Sequence, residues 1–220
     1  MAKDVSSIIT RGTAAVFAAV LRLARASWRR GHVGMEVVDQ ALARRERLLV
    51  VFWHAKHISL FPLVEGFDAW ILTNRSFRGQ VIAALAGHFG YHSIFLDCKH
   101  GQELQELLDG LLQKHPCLAI AVDGPLGPLH RVRPSLVRLA SELKLLVVPL
   151  SVAAHPKIVM RGRWDKMEIP LPFSRILLGV GKPFKVPPDV QPDEIEAWME
   201  TIQKNIEETD QMIDKLLMAP

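Results

Sequence analysis

Residues 48–57 read Leu-Leu-Val-Val-Phe-Trp-His-Ala-Lys-His, an apolar run that ends in a polar stretch containing two histidines. A run of this kind, rich in β-branched and aromatic residues, is typical of a strand that is buried on both faces of a sheet. The chain continues with further apolar runs at 69–73, 93–96, 118–122, 145–152 and 175–180. Helical patterns lie between these runs, at 57–66, 77–89, 102–114 and 134–143. The alternation predicts an α/β fold with a central, mostly parallel or mixed sheet that is covered by helices.

Helical patterns also flank this alternating region. Residues 5–30 predict one amphipathic helix, and the segment after Pro192 predicts a long helix with apolar residues three and four positions apart. Packing of the second helix on its own domain is favoured over a coiled-coil dimer, because three heptads are the lower limit for such a dimer. We therefore expect an N-terminal helical segment (1–46), an α/β domain (47–190) and a packed C-terminal helix (191–220).

The N-terminal segment concentrates the positive charge of the chain, which has 27 Lys and Arg against 23 Asp and Glu. At 100° per residue, four arginines fall within about 60° of the helix circumference and apolar residues occupy the opposite half. The arginines are Arg11, Arg22, Arg25 and Arg29, and the apolar residues include Phe17, Leu21 and Trp28. This pattern predicts a helix lying in a membrane interface, with its arginines at the lipid phosphates. An amphipathic helix packed on its own domain is the alternative.

Composition excludes several classes of protein. Hydrophobic residues make up 49% of the chain and charged residues 23%, as in globular proteins and unlike disordered or collagen-like chains. Two cysteines, Cys98 and Cys117, exclude a disulfide scaffold and a Cys₄ zinc site. No apolar run reaches the ~18–20 residues needed to span a bilayer. The glycine-rich nucleotide motifs and the G-x-S-x-G motif of serine hydrolases are absent from the sequence.

His54 is the first of two polar features that suggest chemistry. It directly follows the first buried strand, where α/β sheets place their ligands, and an imidazole can take a proton from a hydroxyl group. A structural histidine, hydrogen-bonded at the end of a strand, is the alternative. His57 is three residues away, but no cysteine and no H-E-x-x-H pattern accompanies the pair, so we expect no metal site.

Residues 122–133 are the second feature and read Val-Asp-Gly-Pro-Leu-Gly-Pro-Leu-His-Arg-Val-Arg. Asp123 follows a buried strand, and a rigid turn then leads to Arg131 and Arg133 at alternate positions. Because arginine pairs with phosphate through two parallel hydrogen bonds, this arrangement predicts a rim that binds a phosphorylated substrate. A tight turn with solvated arginines is the alternative.

The order of short motifs along residues 48–188 is informative. The motifs are Phe52-Trp53-His54, Asp123-Gly124-Pro125 with Gly127-Pro128, Leu139-Ala140, Val148-Pro149, Trp164-Asp165, Ile169-Pro170-Leu171-Pro172-Phe173 and Gly181-Lys182-Pro183. This order resembles the small bacterial branch of the lysophospholipid acyltransferase superfamily, long known as a domain of unknown function. Some members of that branch resemble the secondary acyltransferases of lipid A assembly.

The resemblance implies transfer of a fatty acyl group from an acyl carrier protein or coenzyme A thioester to a lipid hydroxyl group. The acceptor would be a lysophospholipid or a lipid A precursor, and the protein would lie peripherally on the cytoplasmic face of the inner membrane. His54 would be the general base, with Asp123 beside it. Gly124, Pro125, Arg131 and Arg133 would bind the phosphate of the acceptor. The resemblance implies no bound cofactor and no nucleic-acid partner, and the oligomeric state stays open.

Departures from the family pattern leave the orienting partner of His54 open. The superfamily has an aspartate five residues after its histidine, where this chain has Ser59. Arg78, a further candidate substrate-binding residue, stands where the branch often has aspartate, and Asp97 falls within a replaced Arg-Gly-Ser motif. Asp97 and Asp123 are the candidate partners. The alternative is a catalytically inactive lipid-binding or scaffold protein of the same fold, and a nucleic-acid-binding domain has only its charge in favour.

Overall fold

The structure, a computed structural model, describes residues 2–95, 102–124 and 127–219. The described residues form seven α-helices and eight strands in one mixed sheet, which confirms the predicted α/β fold with its N-terminal helix and long C-terminal helix. The helices are α1 (Ala2–Ser27), α2 (Met35–Ala43), α3 (His57–Leu63), α4 (Phe77–His88), α5 (Gln102–Leu112), α6 (Pro134–Glu142) and α7 (Ile195–Met218). The strands are β1 (Arg29–Val33), β2 (Leu48–Phe52), β3 (Trp70–Thr73), β4 (His92–Phe95), β5 (Cys117–Ala121), β6 (Leu146–Val159), β7 (Glu168–Val180) and β8 (Phe184–Lys185).

The strand order of the sheet is β1-β7-β6-β2-β5-β3-β4, and β8 pairs with the start of β6. Strands β6, β2, β5, β3 and β4 run parallel to one another, whereas β7 runs antiparallel to β6. The carboxyl ends of β2, β5 and β3 therefore meet at one edge of the sheet, and the residues that follow these strands share that edge.

The core has two layers, one on each face of the sheet. Leu48 and Val50 of β2 contact the layer that α1, α3 and α4 complete, while Leu49 and Val51 contact the layer under α5, α6 and α7. All four side chains are at most 6% exposed. Burial on both faces explains why apolar and polar residues do not alternate in the sequence of this strand.

The prediction of a single helix over residues 5–30 is wrong at its carboxyl end. Helix α1 ends at Ser27, and Arg29–Val33 forms β1, which pairs in parallel with β7. The Trp28 side chain between them is buried, and its indole N–H donates to the Leu171 carbonyl oxygen at 3.1 Å. Gly31 within β1 is a poor helix former, and Gly34 has a φ of 81°, so the helix cannot continue through this segment. The first 46 residues thus add a strand to the same sheet.

Strands β6 and β7 are longer than the apolar runs predict, because they continue as an antiparallel hairpin beyond the rest of the sheet. Val159 pairs with Glu168 at the outer end of this hairpin, and residues 160–167 connect the two strands. Prolines obscure the pattern in the sequence. Pro170 and Pro172 lie on the part of β7 that precedes its pairing with β1, where the side of the strand opposite β6 has no strand partner among the described residues.

Helix α7 packs on its own sheet, as the apolar spacing predicts. Ile202, Ile206 and Ile213 are fully buried, the last of them against β6 and β7. Gly179 in β7 makes this close contact possible, since a Cβ atom there would lie 2.0 Å from Ile213 Cγ2.

Candidate active site

His54 lies in a short 3₁₀ turn, His54–Lys56, directly after β2 at the carboxyl edge of the sheet. Asp123 follows the neighbouring strand β5, so the parallel pairing brings the two predicted catalytic residues together. The contact is made through the main chain: the backbone N–H of His54 donates to Asp123 Oδ1 at 2.9 Å. The backbone N–H of His130 donates to the other oxygen at 3.4 Å. Asp123 is fully buried, and burial raises the pKa of its carboxyl group. This residue therefore holds the turn that carries His54.

The imidazole of His54 has a different carboxylate partner. Its Nδ1 lies 2.8 Å from Oδ2 of Asp165, a fully buried residue in the connection between β6 and β7. With Nδ1 donating to this carboxylate, Nε2 carries the lone pair that can accept a proton. Trp164-Asp165 is one of the motifs that carry the family resemblance, but the sequence assigns its aspartate no role. Of the two candidate partners predicted from the sequence, Asp123 contacts the main chain of His54 and Asp97 lies outside the described residues.

Arg163 holds Asp165 in place. Its guanidinium donates from Nε to Asp165 Oδ1 at 2.9 Å and from Nη2 to Oδ2 at 2.8 Å, a two-point contact. Burial opposes ionisation of Asp165, but the hydrogen bonds from Arg163 and His54 outweigh it and hold the pKa of Asp165 well below its ordinary value. Asp165 is thus ionised at neutral pH and can stabilise an imidazolium on His54.

His57 packs against His54, with ring centroids 4.4 Å apart. Its Nδ1 donates to the His54 carbonyl oxygen at 2.5 Å, which fixes the tautomer of His57 and tightens the turn. Burial, together with the charge of His54, lowers the pKa of His57 to about 4. His57 therefore stays neutral at neutral pH.

The lowered pKa of His57 predicts an acid-sensitive stability. In the unfolded chain His57 has the ordinary histidine pKa near 6.5, so as the pH falls the unfolded chain binds this proton before the folded chain does. The contribution of His57 to the free energy of unfolding is therefore complete above about pH 6.5. It is lost as the pH falls from about 6.5 towards 4. Between pH 7.5 and pH 5 we expect His57 to lower the free energy of unfolding by about 1–2 kcal/mol. Urea unfolding of the parent and of His57→Asn at both pH values measures this; equal losses in the two proteins would contradict it.

The same three side chains could approach a metal ion, since ligand atoms of His54, His57 and Asp165 lie within 4.8 Å of one another. The hydrogen bonds favour a different use. Nδ1 of both histidines and both oxygens of Asp165 are engaged with partners in the described residues. A metal bound by these atoms would displace the Arg163 and His54 contacts, so the arrangement suits a base better than a ligand set.

A second contact joins the His54 turn to the hairpin. Lys56, whose side chain is 7% exposed, pairs with Glu168 at 2.9 Å, and Lys157 pairs with the same carboxylate oxygen at 2.8 Å. Burial opposes ionisation of Glu168, but the two lysines lower its pKa. The turn and the hairpin are thus held together at two points, His54 with Asp165 and Lys56 with Glu168.

The predicted phosphate rim is partly structural. Arg133 donates from Nη2 to the Gly127 carbonyl oxygen at 2.8 Å and covers Gly124, where a Cβ atom would lie 2.7 Å from Arg133 Nε. Trp164 packs on Gly127 and on the ring of His54, at a centroid distance of 5.2 Å from the imidazole. Gly124 thus lies against Arg133, and Gly127 lies against Trp164, which also contacts the imidazole. Pro125 lies outside the described residues.

Two other predicted substrate-binding arginines are exposed. Arg131 faces Glu196 at 3.5 Å, and both side chains are more than 60% exposed. Arg78 lies in the first turn of α4, which follows β3 and so begins at the same edge of the sheet as His54. Both guanidinium groups are open to solvent on this side of the fold.

Helix α1 presents its large apolar side chains to solvent. Six of them are at least 51% exposed: Ile8, Ile9, Val16, Phe17, Val20 and Leu23. The opposite side packs against the domain through Ala14, Ala18 and Leu21. Small side chains allow a closer approach of α1 to α4, so Ala14 and Ala18 contact the domain together with Leu21, while the six residues above stay outside.

This orientation changes the set of residues predicted for membrane contact. Phe17 lies on the exposed apolar face and Arg11 is exposed, whereas Leu21 and Trp28 are buried in the core. Arg22 and Arg25 turn towards the domain, at 2.8 Å and 3.5 Å from Glu65. The other predicted residue, Arg29, is exposed in β1. In the residues that the structure describes, no helix is long and apolar enough to cross a bilayer.

The hairpin adds further exposed apolar surface. Ile158, Val159 and Met160 at its outer end are 38–50% exposed, and Phe173 is 75% exposed. The backbone N–H of Phe173 donates to Ser27 Oγ at 3.1 Å, so this part of β7 lies against the end of α1. The element that supplies Asp165 therefore also carries exposed apolar side chains.

These features define an α/β protein whose candidate active centre is a histidine oriented by a buried, ionised aspartate. No family model matches the chain. A curated protein of Rickettsia prowazekii (strain Madrid E), itself uncharacterized, is 26% identical over an alignment of 146 residues that covers 64% of this chain and 66% of that protein. The chain thus spans just under two thirds of the length of this relative.

Proposed function

We propose that the protein is an O-acyltransferase that moves a fatty acyl chain from an acyl thioester to a hydroxyl group of a phosphorylated lipid. The observation that carries the proposal is the contact of 2.8 Å between His54 Nδ1 and the buried Asp165 at the carboxyl edge of the sheet. The motif order that resembles the lysophospholipid acyltransferase superfamily supports this reaction class. The acceptor is a lysophospholipid or a lipid A precursor, and the donor is carried by acyl carrier protein or coenzyme A.

His54 acts as the general base in the proposed reaction. Its Nε2 takes the proton of the acceptor hydroxyl group while that oxygen attacks the thioester carbonyl carbon, and Asp165 stabilises the imidazolium that forms. The tetrahedral intermediate then breaks its carbon–sulfur bond. The imidazolium returns the proton to the departing thiolate, so that the products are the acylated lipid and a free thiol. Asp123 and His57 hold the turn that positions His54.

Exposed arginines near the site suit an anionic acceptor. Arg78 and Arg131 are open to solvent, and the side chain of Arg163 is 38% exposed although it holds Asp165. Guanidinium groups recognise phosphate through directed pairs of hydrogen bonds. We assign Arg78, Arg131 and Arg133 to the phosphate of the acceptor, with Arg133 also holding the turn around Gly124.

The exposed apolar face of α1 supports peripheral membrane binding. A lipid substrate is delivered from a bilayer, and apolar side chains of this size insert into the acyl boundary while neighbouring arginines contact phosphates. Arg11 on this helix, and Arg29 and Arg30 directly after it, are exposed basic residues. We place the protein on the cytoplasmic face of the inner membrane, where acyl thioesters are available.

Replacing two exposed apolar residues of α1 with glutamate is expected to weaken vesicle binding. In Phe17→Glu/Leu23→Glu, two side chains that are 51% and 73% exposed change from apolar to acidic. Each buried large apolar side chain contributes roughly 1.5–3 kcal/mol, so we expect binding to anionic vesicles to fall by more than about tenfold. Co-sedimentation with phosphatidylglycerol-containing vesicles measures the change.

Leu216→Glu is the matched control for this experiment. Leu216 is an apolar residue of α7 that is 46% exposed and lies outside the proposed membrane surface. We expect this variant to bind vesicles as the parent does. Equal binding by the α1 double variant and the parent would contradict the membrane assignment.

A donor-consumption assay tests the proposed reaction. The full chain is incubated with a radiolabelled long-chain acyl thioester, presented on acyl carrier protein or on coenzyme A, together with a total bacterial lipid extract. We expect label to enter lipid, and mass spectrometry of the labelled product identifies the acceptor. Vesicle binding without consumption of either donor would reject the enzyme and support the lipid-binding or scaffold alternative.

A further inference from the structure

A second group of titratable side chains lies apart from His54 and its partners. Asp68 Oδ1 is 3.0 Å from His92 Nε2, and Asp68 Oδ2 is 2.6 Å from His115 Nδ1. The two imidazole rings are 4.4 Å apart. One carboxylate thus lies between two histidines, and the proposed acyl-transfer reaction uses none of the three.

The fold brings these residues together from three separate segments. Asp68 is two residues before β3, His92 is the first residue of β4, and His115 is two residues before β5. Strands β5, β3 and β4 are neighbours and run parallel, so their amino ends share one edge of the sheet. His54 follows the carboxyl end of β2, and the cluster is therefore at the opposite edge from the candidate active site.

We propose that Asp68, His92 and His115 form a binding site for a divalent transition-metal ion of the Zn²⁺ type. The ligand atoms lie within 4.8 Å of one another. Two donors bound to one zinc ion at about 2.1 Å are at most about 4.2 Å apart, so small side-chain rotations complete the set. Two imidazole nitrogens and one carboxylate oxygen select Zn²⁺ and its transition-metal neighbours over Mg²⁺ and Ca²⁺, which prefer oxygen ligands.

The exposure of the cluster fits an ion with one open coordination position. The side chains of Asp68, His92 and His115 are 55%, 40% and 31% exposed, so water can complete the coordination sphere. Trp70 covers one side, with its ring centroid 4.8 Å from that of His92 and 5.6 Å from that of His115. Trp70 and His92 also line an open cleft of about 660 Å³ beside β4.

An ion at this site would join an edge strand to its neighbours. Within the described part of the chain, β4 pairs with β3 alone and is four residues long. Asp68 precedes β3, His115 precedes β5 and His92 is the first residue of β4. One ion bound by all three would link the amino end of β4 to those of β3 and β5. The three ligands lie close together only in the folded chain. The ion would therefore bind the folded state more tightly than the unfolded state and would stabilise the protein.

Zinc titration of the full chain tests the proposal without reference to any enzymatic activity. After removal of metals with a chelator, calorimetry at neutral pH is expected to show one equivalent of bound Zn²⁺. Loss of one ligand in His92→Ala or in the isosteric Asp68→Asn should weaken binding by at least about 100-fold. His54→Ala is the control, because it removes the other histidine cluster and should leave the affinity unchanged. Far-UV circular dichroism checks that each variant is folded.

Tryptophan fluorescence gives a second, local readout. Cu²⁺ quenches nearby indoles, so Cu²⁺ binding should reduce the emission of Trp70. Trp70→Phe should remove that change but should still bind one equivalent of Zn²⁺ in the calorimeter. The proposal is overturned by any of three results: unchanged affinity in both His92→Ala and Asp68→Asn, loss of binding in His54→Ala, or no binding at about 100 µM Zn²⁺.

Discussion

Replacing His54 with glutamine is expected to reduce the rate of acyl transfer by about 10²–10⁴-fold, the range that a positioned general base contributes. Glutamine fills a similar volume and can hydrogen-bond to Asp165, but it cannot take up a proton at neutral pH. The side chain of His54 is 22% exposed, so the substitution places little new polar surface in the core. The loss should therefore appear in kcat rather than in protein yield or vesicle binding.

Initial rates of label transfer at saturating donor measure this effect, with vesicle binding followed in parallel. His32→Gln is the matched control, since it makes the same substitution at an exposed histidine of β1. We expect the control to keep the rate of the parent. A His54→Gln rate within about twofold of the parent would remove His54 from the chemical step, because a lost general base costs at least about 10²-fold.

The sheet could be predicted because its central strands are buried on both faces. Leu48 to Val51 contact two core layers, and only a continuous apolar run can satisfy both. Strand β1 carries no such signal. Its sequence is Arg-Arg-Gly-His-Val, and four of its five residues are exposed, so backbone pairing with β7 decides its structure. Hydrogen bonds of the main chain leave no pattern in the side chains.

In the candidate site, the positions of His54 and Asp123 could be predicted from the sequence, whereas the role of Asp165 could not. His54 and Asp123 each follow a predicted parallel strand, and parallel strands bring their carboxyl ends to one edge whatever their exact order. Asp165 is 111 residues from His54 and arrives on an antiparallel hairpin that projects past the sheet. The register of that hairpin decides which residue reaches the imidazole. The sequence offered only the Trp164-Asp165 motif, without the geometry that gives it a role.

The orientation of α1 shows a limit of hydrophobic patterning. The sequence places apolar residues over about half of the helix circumference but does not show which of them pack. In the structure, the stripe of Ala14 and Ala18 contacts the domain, while Phe17 and Val20 face outward. Size decides this choice as much as hydrophobicity does, since backbones approach closely only where side chains are small.

Replacing Asp165 with asparagine is expected to reduce acyl transfer by up to about 10⁴-fold, as when the orienting aspartate of a serine-protease triad is changed to asparagine. An asparagine amide can donate to Nδ1 of His54, which would then hold its proton on Nε2, the atom that must accept one. Arg163 loses its partner, but its side chain is 38% exposed and can be solvated, so we expect the variant to fold.

The stability of this variant should also depend on pH in a defined direction. The pKa of Asp165 in the folded protein lies below its unfolded value of about 3.9, so the carboxylate contributes stability above about pH 4, and that contribution is lost as the pH falls further. Asp165→Asn should therefore be less stable than the parent at neutral pH, with a difference that narrows in acid. Asp214→Asn, at an exposed position of α7, should not show the kinetic loss.

Nitrogen-15 NMR of the His54 ring separates orientation from general loss of structure. In the parent we expect the proton on Nδ1, and in Asp165→Asn on Nε2, together with the fall in kcat. A loss of rate with an unchanged tautomer would mean that Asp165 supports the hairpin and not the base. Full activity with a changed tautomer would show that Nε2 of His54 does not accept the proton of the acceptor. Because Asp165 touches both the imidazole and Arg163, only the tautomer and the rate taken together assign its role.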